Sequence, residues 1–238
     1  IGCHFPDGIE FAFTATNSVT SLAPGGRVLV VKTRTAFILR YPSLASLVAG
    51  EFVGNLDNAG ERVALAGPLG EPIHDFKYDN NWYPATDGIG FSLVAVNESA
   101  PLNTWTNAAG WRPSAYDGGS PGAPEPTPTT VPPVIINEIL TLTAPLTSDA
   151  IEIWNPNAGP VDIGDWYLTD NRDIPRKYRI PSPRVIPGNG YYTFYETTSF
   201  GVTNGLSGSG EDVYIFSGDS AGHLTGYFQG FDFGPSAP

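Results

Sequence analysis

The sequence predicts an all-β protein built as two domains, and three observations lead there. Glycine (28) and proline (23) are abundant while only 15% of residues are charged. That is a turn-rich balance, short of the residues helices favour. From Val134 to Tyr191, apolar residues alternate with Glu, Asn and Asp at period two, interrupted by turn residues. Short antiparallel strands read this way when one face is buried and the other is wet. Between the two halves, Pro121, Pro124, Pro126, Pro128, Pro132 and Pro133 sit among Thr, Gly and Ala, the composition of an extended, semi-rigid spacer. The expected division is 1–122, a linker over 123–133, and 134–238.

In chain order, Gly8–Phe13 is a short alternating strand, and Leu22–Gly26 is a turn in which glycine supplies positive φ. Arg27–Thr33 is apolar enough for a central strand. Thr35–Val48 carries Ala36, Phe37, Tyr41, Leu44 and Leu47 at spacings near three and four, which predicts a short helix limited by Pro42. Arg62–Ala66, the Pro68-Leu69-Gly70 turn and Ile73–Tyr78 form a hairpin. Asp87–Val96 adds a strand. In the second half, strands are expected over Val134–Leu140, Ala150–Pro156 and Val161–Asp170, followed by the Ile186–Gly190 turn.

At 238 residues and 41% apolar composition, the chain is long enough for real cores. A net charge of −12 repels phosphate backbones unless a basic patch intervenes. No window approaches the roughly 18 apolar residues of a membrane span. A single cysteine, Cys3, rules out an intramolecular disulfide. The start at Ile1 and the lack of methionine read as a mature piece or an excised fragment.

The halves repeat one pattern. Pro24-Gly25-Gly26 corresponds to Pro187-Gly188-Asn189, 163 residues on, and Gly60-Glu61-Arg62 to Gly210-Glu211-Asp212, 150 residues on. Two copies of one domain are expected, with extra residues in the first. The first has no counterpart of Asn137-Glu138 and Ile151–Pro156, and the second none of Asp87–Val96. Each copy is therefore expected to be clipped at one end, leaving sheet edges that invite edge-pairing or strand exchange into a dimer.

The second half resembles the lamin-tail domain family. The residues that carry the resemblance are Ile136-Asn137-Glu138-Ile139, Ile151–Pro156, Val161–Asp170, Tyr178–Pro181 and Ile186-Pro187-Gly188. The first half is similar through Pro24-Gly25-Gly26, Leu56–Glu61 and Trp82–Leu93, and departs by an inserted stretch between Thr35 and Val53. The resemblance implies immunoglobulin-like β-sandwiches in tandem bacterial copies. It also implies a secreted or cell-surface protein whose domain binds or scaffolds and shares no catalytic residues.

Several side-chain groups carry chemistry on paper. Glu138 and Glu152 could pair as acid and base, though edge strands commonly carry such glutamates outward. Asp162, Asp165, Asp170 and Asp173 form an oxygen-only set that suits calcium, but without a 12-residue loop, so Asx turns are the commoner explanation. Asp57-Asn58 with Glu61, and Asp79-Asn80-Asn81 with Asp87, read likewise. Arg172, Arg176, Lys177, Arg179 and Arg184 are all the Lys and Arg of the second half. They form either an anion-binding or nucleic-acid-binding patch or a solvated hairpin face. His4, His74 and His223 lack metal-ligand spacing, and Cys3 lacks a flanking basic residue. Trp154, Trp166, Tyr167, Tyr191, Tyr192 and Tyr195 could stack sugars, although alternation sends about half of such residues into a core. Trp82 is an exposed-loop candidate.

The function expected is a non-catalytic binding, adhesion or scaffolding module with a protein or polysaccharide partner at the cell surface. No cofactor is expected, and nucleic acid is disfavoured as partner. The alternatives are a calcium-dependent hydrolase, or its accessory domain, working through Asp162–Asp173, and an anion binder working through Arg172–Arg184.

Overall fold

A computed structural model describes residues 1–141, 148–201 and 205–235. The chain is mostly β, in several antiparallel sheets with few helical turns. It divides into two compact units, Ile1–Ser114 with Gly118–Pro126, and Ala115–Asp117 with the residues from Thr127 onward. The Pro/Thr run is thus shared between the units.

In the first unit, β1 (His4–Asp7), β2 (Phe11–Ala12), β5 (Arg62–Ala66) and β6 (Pro72–Lys77) form an antiparallel sheet in the order β2-β1-β5-β6. β5 and β6 are the expected hairpin, with Val63 opposite Phe76. The apolar Arg27–Thr33 run supplies only β3 (Leu29–Val31). It is not the central strand of a sheet but pairs in parallel with β4 (Val48–Glu51). A parallel pair needs a crossover, and the predicted helix provides it. That helix is α1 (Arg34–Arg40), followed by a separate 3-10 segment over Pro42–Leu47. Pro42 starts the second piece because its ring and missing N–H cannot continue an α-helix. Of the strand expected over Asp87–Val96, only β7 (Leu93–Ala95) forms, paired with β8 (Trp111–Pro113). Buried hydrophobic side chains here include Ala49, Ala64, Ala66 and Ala85 as well as Phe11, Val31, Val48, Ile89 and Phe91.

The second unit has a larger core. β9 (Ile135–Leu140), β10 (Ala150–Trp154) and β15 (Tyr191–Tyr195) form a sheet in the order β15-β10-β9. β12 (Tyr167–Thr169), β13 (Tyr178–Arg179), β16 (Glu211–Gly218) and β17 (Leu224–Phe233) form another, in the order β13-β12-β16-β17. β11 (Val161–Asp162) and β14 (Val185–Ile186) pair between them in sequence. Ile151, Ile153 and Phe194 of the first sheet share one buried cluster with Leu168, Val213 and Ile215 of the second. The sheets are stitched where the Tyr227 hydroxyl donates to the Val134 carbonyl and Gln229 Oε1 accepts the Ile136 N–H at 2.7 Å.

Asn155, fully buried, holds the loop that follows β10. Its Nδ2 donates to the carbonyls of Gly159, Ile186 and Pro187 at 2.9–3.0 Å, and its Oδ1 accepts the Asn157 N–H at 2.9 Å.

The two four-stranded sheets share one strand order and one chain order. His4 faces Ala66 as Tyr167 faces Phe216, the same 163- and 150-residue separations as the sequence marks. Gly60 and Gly210, at equivalent positions, both have positive φ (112° and 95°), and a Cβ on either would run into the carbonyl of Tyr78 or Phe233. No described strand of the first unit corresponds to β9 and β10.

Candidate functional site

β10 is the middle strand of β15-β10-β9, and its register sorts the aromatic residues. Ile151 lies between Phe194 and Ile139, and Ile153 between Tyr192 and Ile136. These face the core. Successive side chains alternate across a strand, so the outer face carries three cross-strand rows: Tyr195-Ala150-Leu140, Thr193-Glu152-Glu138 and Tyr191-Trp154-Ile135. Tyr191 is 54% exposed and Tyr195 48%. The Trp154 and Tyr191 rings are near-parallel, with centroids 6.3 Å apart and planes at 20°. The six aromatics of the sequence therefore separate. Trp154, Tyr191 and Tyr195 face outward, Trp166 and Tyr167 are buried, and Tyr192 packs against the core.

Between the aromatic rows lie polar groups that can take part in hydroxyl recognition. Glu138 and Glu152 are directly opposite each other, and Asn137 Nδ2 donates to Glu152 Oε1 at 2.8 Å. Two like charges in one cross-strand pair cost stability. None of the second unit's five Lys and Arg lies in these rows. The two glutamates stand on an open sheet face, not facing each other across a cleft.

The structure disperses the other sequence candidates. Asp162 Oδ1 accepts the N–H groups of Gly164 and Arg184, each at 2.8 Å. Asp165, in the left-handed region at φ 69°, pairs with Arg179 at 2.7 Å. Asp170 pairs with Lys177, and Asp173 is exposed, its N–H donating to Asn171 Oδ1 at 2.9 Å. Among the described residues, no three or more His, Cys, Asp or Glu are grouped to hold a metal.

The basic residues are engaged one by one. Arg172 lies over the Phe228 ring, and Arg184 over Tyr192 at 4.6 Å. Arg176 pairs with Asp117 at 2.8 Å and donates to the Gly222 carbonyl. Arg179 also donates to the carbonyl of Ser220 at 3.0 Å. Trp82 is half-buried in a turn, its N–H donating to the Asp79 carbonyl at 3.1 Å. Cys3 is a half-buried free thiol, His4 sits near the Gly2 carbonyl, and His223 pairs with Asp219 at 3.1 Å. No helix of the described residues is long and apolar enough to cross a membrane.

What sequence reasoning missed is a groove in the first unit. It brings Asp57 and Asp79, read separately above, beside Asp87, Phe76 and Trp111. Pairing of β7 with β8 and of β5 with β6 creates that proximity, and nothing in the local sequence signals it.

Residues 127–225 match the family model described as Lamin Tail Domain. The match covers one copy, from before β9 to the start of β17, and this family is an immunoglobulin-like, non-enzymatic module. No curated protein and no solved structure matches the chain.

Proposed function

We propose that this chain is a non-catalytic binding module of a larger secreted or cell-surface bacterial protein, and that the outer face of β15-β10-β9 holds a surface polysaccharide. The observation that carries this reading is the arrangement of Trp154, Tyr191 and Tyr195 around Glu152, Glu138 and Thr193. Aromatic faces suit the C–H faces of pyranose rings, and carboxylates accept hydroxyl protons. The cross-strand pairing of two glutamates costs stability, which is a reason to look for a ligand there. The engagement of Arg176, Lys177 and Arg179 with carboxylates favours this reading over an anion-binding one.

The equal strand order of the two four-stranded sheets supports a further part of the proposal, that the units are tandem copies of one domain. In the first copy β3, the counterpart of β15, would then take the inserted β4 as its partner.

The test is co-sedimentation of the purified chain with insoluble cellulose, chitin, xylan and peptidoglycan. Binding to at least one is expected, with Trp154→Ala weakening it about tenfold or more, the range of a lost stacking anchor. Absence of binding across the panel, or wild-type binding by Trp154→Ala, would defeat the proposal.

A further inference from the structure

We propose that the second unit forms its own internal cross-link, an amide between the Lys177 amine and the Asp170 carboxyl, with Glu211 carrying the protons. The three residues belong to β12, β13, β16 and their ends, whereas the polysaccharide reading uses β9, β10 and β15. The two are independent.

Strand pairing brings the reacting groups together. Leu168 of β12 faces Tyr178 of β13, so Asp170 and Lys177 meet just past the last pair of these strands. Lys177 Nζ contacts Asp170 Oδ1. The buried Thr169 hydroxyl ties the intervening loop, donating between the carbonyls of Asn171 and Ile174 at 2.9 and 2.8 Å. Well-oriented groups within one molecule react as if at about 10⁵–10⁸ M. Condensation of an amine with a carboxyl in water needs a gain of that size, because the free groups pair as ions without reacting.

This pair differs from the other ion pairs described in the second unit. Lys177 is the one lysine of the second half. Arg176 and Arg179 also meet carboxylates, but a guanidinium stays protonated and offers no free lone pair. The Lys177 and Asp170 side chains are only 24% and 12% exposed, against 39% for Arg176 and 43% for Arg179. Buried Ile151, Leu168, Phe200 and Leu206 line a recess with Asp170. Apolar surroundings disfavour charged forms. Moving a proton from ammonium to carboxylate, which frees the amine lone pair, therefore costs less there than in water.

Glu211 opens β16, the strand beside β12, where Tyr214 faces Thr169. Burial, with Asp170 and Asp149 nearby, holds Glu211 above the usual carboxylate range, against the Ser207 N–H and Lys177, which pull it down. A carboxyl shifted upward both gives and takes protons near neutral pH. In the reaction, Lys177 Nζ bonds to Asp170 Cγ and a carboxyl C–O bond breaks. The nitrogen gives up two protons, and Glu211 relays them to the departing oxygen, which leaves as water. An ammonium and a carboxylate become an amide and one water, with no oxidant or co-reactant.

The experiment measures the intact mass of the full chain, purified at neutral pH, and then digests it with trypsin. The chain is expected to be lighter than its sequence by one water. The digest should hold a branched peptide that joins Lys177-Tyr178-Arg179 to the peptide ending at Arg172. Ring closure at an aspartyl-glycine step such as Asp87-Gly88 loses the same water without branching, so the branched peptide decides. Lys177→Arg keeps a cation beside Asp170 but cannot form the amide, and should return to full mass. Glu211→Gln should slow conversion about a hundredfold or more, the usual worth of a proton carrier. The inference is overturned by full mass in the wild type, by water loss without the branched peptide, or by equal water loss in Lys177→Arg. A folded Glu211→Gln chain that converts at the wild-type rate overturns the part given to Glu211. If a variant fails to fold, the branched peptide of the wild type still decides, its presence for the amide and its absence against it.

Discussion

His74 shows how a single residue escapes a reading of the sequence. Its scattered position suggests only an ordinary histidine. In the fold its ring stacks on Phe76 at 4.8 Å and meets Trp105 edge-on at 4.8 Å, and Nδ1 is buried without a hydrogen-bond partner. Burial lowers its pKa despite the nearby charge of Asp75. In the window between the lowered folded pKa and the ordinary value of about 6.5, the unfolded chain binds a proton that the folded chain does not. This contribution to stability is therefore present above about pH 6.5 and is lost as pH falls. Thermal melts between about pH 7.5 and pH 5 should show the first unit weakening with acid. His74→Phe should flatten that part of the slope, and an unchanged slope would show that another group sets it. Asn155 is the opposite case. The Trp-Asn-Pro run after an alternating strand already reads as a strand end, and the structure adds only which carbonyls the amide holds.

At the scale of elements, alternation is informative wherever one face is buried. It predicts Ile151 and Ile153 inward and Glu152 outward, and β10 obeys. It cannot say which strands are neighbours, so the opposition of Glu138 and Glu152 appears only once β9 pairs with β10, across a bulge between Glu152 and Ile153. That pairing carries a prediction. Glu138→Gln removes one of two facing charges and leaves the Asn137–Glu152 hydrogen bond in place. Chemical denaturation should find the variant more stable by about 0.2–1 kcal/mol, while polysaccharide binding falls. A loss of stability would mean that Glu138 serves the fold and not a ligand. The element least legible in sequence is the β3–β4 pair. A helical spacing followed by an apolar strand is visible, but parallel pairing is a tertiary choice made by the crossover of α1.

At the scale of the whole molecule, the second unit includes three residues that precede the proline-rich run, Ala115–Asp117. Asp117 Oδ1 accepts the Leu224 N–H at 2.8 Å, and its Oδ2 pairs with Arg176 at 2.8 Å. Charge-assisted bonds of this kind are worth about 1.5–3 kcal/mol when shielded, less where the arginine is partly exposed. Asp117→Ala should therefore lower the unfolding free energy of the second unit by about 1–2 kcal/mol, measured by denaturant titration followed at the second-unit tryptophans. No change would show that the segment only rests there. A proline-rich boundary is plain in the composition, yet this earlier return of the chain is not, because it depends on one carboxylate meeting one strand end. The sequence by itself determined the all-β class, the inward and outward faces of the strands after Val134, and the paired marks separated by 163 and 150 residues. Those follow from local periodicity and turn chemistry, which act over a few residues. Only the tertiary structure decided which carboxylates stand together, which arginines are already engaged, and that Asp57, Asp79 and Asp87 line one groove with Phe76 and Trp111. These depend on contacts between residues distant in the chain, which strand register sets and local sequence does not encode.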